Sequence, residues 1–143
     1  MSIFVDTNVF VYARDSSRPA KQGVAERWIS HLWTTGTGRL SSQVLSEYYV
    51  TVTSKLDPGM ERTDARADIR DLMAWRPVPV TGELVADAWE IQDRYGFSYW
   101  DSLIVAAARA SGCDQLLSED LQHGQDLGGI VVIDPFRGEP PGA

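Results

Sequence analysis

Cysteine is almost missing from this sequence, and so are histidine, lysine and any long apolar run. The one cysteine, Cys113, has no partner for an intramolecular disulfide, which excludes a scaffold stapled for an oxidising compartment. Beside Ala110 and Gly112 it reads as a small buried residue. His31 and His123 are the only histidines, and neither has a Cys or His neighbour at zinc-ligand spacing. No uncharged stretch approaches the roughly 20 residues that cross a bilayer. The first apolar run, Ile3 to Val5, is cut off by Asp6 and has no basic segment before it, unlike a signal peptide. A cytoplasmic protein with no membrane partner is expected.

What remains is acidic and sufficiently apolar to fold alone. Acids outnumber Lys and Arg by 20 to 13, a formal net charge of -7. That disfavours broad electrostatic attraction to nucleic acid, unless the carboxylates converge on divalent cations that neutralise them locally. With 143 residues, 43% of them hydrophobic, one domain with one core is expected, over residues 1–135. A flexible Pro/Gly-rich tail should follow at 136–143.

Short β-branched or apolar runs alternate with helical patterns. Ser2–Val5, Gly38–Ser41, Gln115–Leu117 and Ile130–Ile133 read as strands, and Pro77–Val80 as an edge strand because of its prolines. Helices are expected from Val9 to Arg14, Ala20 to Trp33, about Ser42 to Ser54, Glu61 to Trp75, and Thr81 to Tyr95, with a last one opened by Ser98. In the fourth, Ile69, Leu72 and Met73 should face inward. Leu103 to Ala110 is apolar on nearly every side, as in a helix enclosed by the core. A short helical or looped segment should follow Ser118. The order implies a three-layer α/β domain with a short-stranded, mostly parallel central sheet.

In an open parallel sheet, ligand sites form beyond the C-terminal strand ends. Asp6 follows the first strand directly, and Asp120 lies just after Leu116-Leu117. Asp101 sits in the first turn of the apolar helix, which must run back toward the start of the next strand, so that turn lies where strands end. Glu47 interrupts a helix otherwise made of packing residues, where a buried carboxylate is costly without a cation or donors. Converging carboxylates repel, and a hard oxygen-seeking ion, Mg²⁺ or Mn²⁺, is the usual remedy. Structural roles fit each acid too: an Asx-turn or helix cap for Asp6 and Asp120, a dipole acid for Asp101, a solvated helix position for Glu47. Spacing alone does not separate the two sets.

Four segments in order resemble the motifs of the PIN-domain family, and within it the toxin nucleases paired with a small antitoxin. They are Ile3-Phe4-Val5-Asp6-Thr7-Asn8-Val9, Ser41-Ser42-Gln43-Val44-Leu45-Ser46-Glu47, Tyr99-Trp100-Asp101-Ser102-Leu103, and Leu116-Leu117-Ser118-Glu119-Asp120-Leu121. The likeness extends from about Ser2 to Pro135. It implies a magnesium-dependent endoribonuclease acting as a toxin, with Asp6, Asp101 and Asp120 as metal ligands. Glu47 would bind a second metal or hold its water, while Asn8 and Ser118 would tune the pocket. A homodimer and a cognate antitoxin reaching into the active-site groove are also implied. One departure is Asp120-Leu121-Gln122-His123, where many members have Asp-x-Asp-Phe, which leaves a second metal position open.

Arg14, Arg18 and Arg39 are the candidates nearest the groove for contacts to RNA. Arg62, Arg66 and Arg70 line one helix face, but Asp64, Asp68 and Asp71 interleave with them, which favours a solvated ion-paired face. Trp28, Trp33, Trp75 and Trp89 read as packing residues, with Trp100 undecided. Two other functions stand beside the nuclease: a non-catalytic dimeric binding module with a degenerate metal site, and a magnesium-dependent phosphohydrolase of the haloacid dehalogenase type. The latter wants Asp-x-Asp and a late lysine, against Asp6-Thr7-Asn8 and only Lys21 and Lys55 here.

Overall fold

A computed structural model describes residues 1–138, 140 and 141. Four strands, β1 (Ile3–Val5), β2 (Gly38–Arg39), β3 (Gln115–Leu117) and β4 (Val131–Ile133), form one sheet in the order β2-β1-β3-β4. Every pairing is parallel. Among the described residues the expected sheet is thus realised with no antiparallel strand. β1 lies between β2 and β3, and all three of its residues are buried, which is why it is a bare apolar triplet without alternation.

Six α-helices connect the strands: α1 (Thr7–Tyr12), α2 (Pro19–Thr35), α3 (Ser42–Ser54), α4 (Arg62–Leu72), α5 (Gly82–Tyr95) and α6 (Tyr99–Ala110). Their starts are written in the side chains. Ser41, Thr81 and Ser98 each accept the backbone N–H three residues on, giving the N-caps of α3, α5 and α6. Gly36 and Gly96 close α2 and α5 in the left-handed conformation that costs glycine little. In α6 every residue from Ser102 to Ala108 is buried, as expected of an enclosed helix. No helix among the described residues is long and apolar enough to cross a membrane.

Several expectations need correction. α1 begins at Thr7, two residues early, because Asp6 caps it by accepting the Thr7 N–H. Pro77–Val80 forms no strand: Val78 makes a single bridge to Ser41, donating to Leu40 and accepting from Ser42. Pro77 and Pro79 have no N–H with which to extend it. Met73 is 56% exposed, since the helix tightens there into a 3₁₀ turn over Met73–Trp75 and Trp75 takes the inward place. Of the tryptophans expected to pack, Trp33 is 43% exposed but lies 5.3 Å from the Trp75 ring, whereas Trp89 is 56% exposed. The segment after Ser118 is looped. Its residues Gly124 and Gln125 bond both sides of Val132, along the outer edge of β4. Of the expected tail, Glu139, Gly142 and Ala143 lie outside the described residues, while the Phe136 ring packs edge-on against Tyr12.

Gly38 is a requirement of packing. A Cβ there would stand 2.6 Å from the ring of Trp75, which is buried against Phe10 and cannot withdraw. Gly38→Ala should therefore destabilise the fold by roughly 1–3 kcal/mol. Urea unfolding of the two proteins reads this, and equal midpoints would show that Trp75 yields.

Candidate active site

The site is assembled where β1 and β3 end. At the end of β1, the Asp6 N–H donates to the Leu117 carbonyl, which locks the two strand ends together at 2.9 Å. The Asp6 carboxylate is then turned inward and is 4% exposed. Its Oδ1 accepts the Thr7 N–H and its Oδ2 the Ser118 hydroxyl, each at 2.7 Å. The helix-cap role is therefore real. It does not account for the burial, because a surface carboxylate would cap the helix without losing its water.

Burial raises the Asp6 carboxyl from its ordinary 3.8 to about 7, against the pull of the Ser118 and Thr7 hydrogen bonds; the nearby charges of Asp120 and Asp101 raise it further. An anion held in such a place lacks a counter-charge. Burial also raises Asp101, followed by the charge of Asp120, while Ser98 opposes both.

Asn8 and Ser118 tie the acids together. The Asn8 amide nitrogen donates to Asp6 Oδ2 at 3.3 Å and to Asp120 Oδ2 at 3.2 Å, and its oxygen accepts the Glu119 N–H. The buried Ser118 hydroxyl, having donated to Asp6, accepts the Asp120 N–H at 3.1 Å. On the opposite wall, Glu47 Oε1 accepts the Thr7 hydroxyl at 2.9 Å. Asp101 stands in the first turn of α6, whose cap is completed by its backbone N–H and the Ser98 hydroxyl.

All four acids border one cavity of about 440 Å³. The structure thus brings Asp6, Glu47, Asp101 and Asp120 together from four separate segments, with Asn8 beside them and Ser118 behind. Among the described residues, no three His, Cys, Asp or Glu side chains are grouped closely enough to hold a metal ion as they stand. The chemistry of the four acids nevertheless suits a hard cation: they offer carboxylate oxygens, one of them on a buried group held far from its usual acidity.

The candidate substrate residues divide. Arg18 lines the cavity, whereas Arg14 and Arg39 do not. Arg14 is held in a two-point ion pair with Asp68, and Arg39 donates to the Gly36 and Gly38 carbonyls beside β2. His123 accepts the Asp134 N–H and also stands away from the cavity. Arg66 lies over the Tyr49 ring on an exposed helix face. Trp100, 61% exposed, is at the cavity rim.

Of the lining residues with no role assigned from sequence, three make contacts that shape the site. Thr7 orients Glu47. Gln43, one helical turn before Glu47 and on the same face, donates to the Trp100 carbonyl at 3.2 Å and so links α3 to the turn holding Asp101. The i, i+4 spacing to Glu47 was a signal for it. Glu119 is the third: the Tyr12 hydroxyl donates to one of its oxygens and the Lys21 ammonium pairs with the other. Burial acts to raise its carboxyl, but these two donors prevail and hold it below the ordinary value. Neither contact is visible in sequence, because Tyr12 and Lys21 come from different helices about a hundred residues away.

Comparison with known proteins supplies an independent result. A family model described as PIN domain matches residues 3–125. Among solved structures, VapC20 of Mycobacterium tuberculosis, a toxin that cleaves the sarcin-ricin loop, superposes with a TM-score of 0.61 at 27% identity, over 80% of this chain and 87% of the other. VapBC2 of Rickettsia felis, bound to a DNA fragment from its promoter, is similar in fold, with a TM-score of 0.55 at 16% identity over 92% and 97% of the chains. No curated protein matches the sequence.

Proposed function

The chain belongs to the PIN-domain family, and from that premise we propose that it is a metal-dependent endoribonuclease acting as the toxin of a toxin–antitoxin pair. The observation that carries this reading is the single cavity bordered by Asp6, Glu47, Asp101 and Asp120, with a buried carboxylate that lacks a counter-charge at its base. The likeness to a toxin that cleaves the sarcin-ricin loop supports RNA as the substrate. An antitoxin partner, a homodimer and a cytoplasmic location belong to the same proposal, as does the division into a domain over 1–135 and a tail.

Asp6, Asp101 and Asp120 would hold the ion, Mg²⁺ or Mn²⁺, with Glu47 on a second ion or on its water. When bound, the ion would supply Lewis-acid polarisation of the phosphodiester and lower the pKa of a nucleophilic water. The chain's own part is to fix the ligands. Asn8 holds Asp6 and Asp120 in register through one amide, Ser118 sets the rotamer of Asp6, and Thr7 keeps Glu47 facing the cavity. The phosphohydrolase alternative gains no support, since Asn8 stands where an Asp-x-Asp site has its second acid.

The test is cleavage of structured and single-stranded RNA by the purified protein, with matched DNA, in Mg²⁺, Mn²⁺ and EDTA. RNA cleavage that needs the metal is the expected result. Cleavage that persists in EDTA, or DNA cut as readily as RNA, would overturn the proposal, and a protein inert on all of these would favour the binding module.

A further inference from the structure

Six carboxylates border the cavity, Asp15 and Glu119 joining the four already described, and the only cation among the described lining residues is Arg18. The chain as a whole carries -7. A bound ion can offset the charge of the phosphate being cleaved, but the flanking phosphates of an RNA strand need other cations. Lys21, in the first turn of α2, is placed to supply one.

Its ammonium pairs with Glu119 Oε2, and the Tyr12 hydroxyl donates to Glu119 Oε1 at 2.8 Å. The ammonium also lies 4.7 Å from the centre of the Tyr12 ring and 5.2 Å from that of Phe136, so it stands behind Tyr12 and Glu119, which do border the cavity. A cation and a neutral hydroxyl thus converge on separate oxygens of one anion, the same donor arrangement that grips a phosphodiester. The Lys21 and Glu119 side chains are 32% and 27% exposed, so an incoming anion can reach them. At this partial exposure the pair is still open to exchange with a competing anion.

Resting on the ribonuclease reading, we propose that Lys21, Tyr12 and Arg18 hold an RNA phosphate next to the one cleaved, and that Glu119 occupies the Lys21 and Tyr12 donors until RNA displaces it. Glu119 is in this view an internal competitor. Its removal should help binding, whereas loss of Lys21 should harm it. A purely structural clip predicts instead that both substitutions act alike.

The experiment measures binding of a short single-stranded RNA in Mg²⁺ over a series of salt concentrations, using the cleavage-deficient Asp101→Asn protein as parent. Adding Lys21→Met should weaken binding several-fold and make the slope of log affinity against log salt shallower by about 0.7–1. Lys21→Arg should restore the slope, and Glu119→Gln should tighten binding several-fold. An unchanged slope in Lys21→Met, or weaker binding in Glu119→Gln, would overturn the phosphate contact while leaving the nuclease reading intact. A parent that binds no RNA would overturn both. Thermal melting of each variant confirms that folded proteins are compared.

Discussion

Asp101→Asn should abolish RNA cleavage while leaving the fold as it is. The N-cap of α6 uses the backbone N–H of residue 101 and not its carboxylate, so asparagine keeps that cap and changes only the charge facing the cavity. Lost ligation of an ion that stabilises the transition state by several kcal/mol corresponds to a fall of about a hundredfold to ten-thousandfold in rate. Single-turnover cleavage at saturating Mg²⁺, read beside the circular dichroism of both proteins, measures it. Wild-type rates in the variant would remove Asp101 from the chemistry.

Asp6→Asn should also lose cleavage, but its more informative effect is on stability. The Asp6 carboxyl sits at about 7 in the fold against an ordinary 3.8, so folding favours its protonated form. Below about pH 4 both folded and unfolded states are protonated and there is no penalty. As pH rises from there through about 7, the metal-free fold loses on the order of 4 kcal/mol to the cost of a buried charge. Asparagine never bears that charge. It does set an amide donor against the Asn8 amide in place of an acceptor, which takes back about 1 kcal/mol. In EDTA at pH 8 the variant should melt roughly 5–10 °C above wild type, with the gap closing toward pH 4. Mg²⁺ should then raise the wild-type melting temperature and leave the variant nearly unmoved, as ligation to the native state requires. A variant no more stable than wild type at pH 8 in EDTA would show that the Asp6 charge is already balanced by the protein.

The sheet and the acid positions were legible because both follow from short-range patterns. Apolar triplets ended by polar residues mark parallel strands, and Asp6 and Asp120 stand at such ends. Asp101 could be placed because a helix feeding β3 has to begin at the opposite end of the sheet. The caps at Ser41, Thr81 and Ser98 were local as well. What escaped was tertiary or conditional on backbone detail. Asp6 caps a helix and is also buried at the cavity that the other three acids border, a placement the cap reading alone does not imply. Arg14 looked free for substrate until α4 folded back and presented Asp68. Trp33 and Trp89 fit the helical pattern yet fall on the partly open margin of it, a distinction that periodicity resolves poorly. The pairing of Lys21 and Tyr12 with Glu119 depends on how three distant segments meet.

Both margins of the sheet are occupied by the chain itself. Beyond β2, Val78 takes the one available bridge between two prolines, and the Arg39 guanidinium covers the Gly38 carbonyl. Beyond β4, Gly124 and Gln125 use the outward N–H and C=O of Val132. Among the described residues little free ladder is left for a visiting strand, which protects four short parallel strands from edge-to-edge aggregation. It also disfavours β-augmentation by a protein partner and directs recognition to side chains on helices and in grooves.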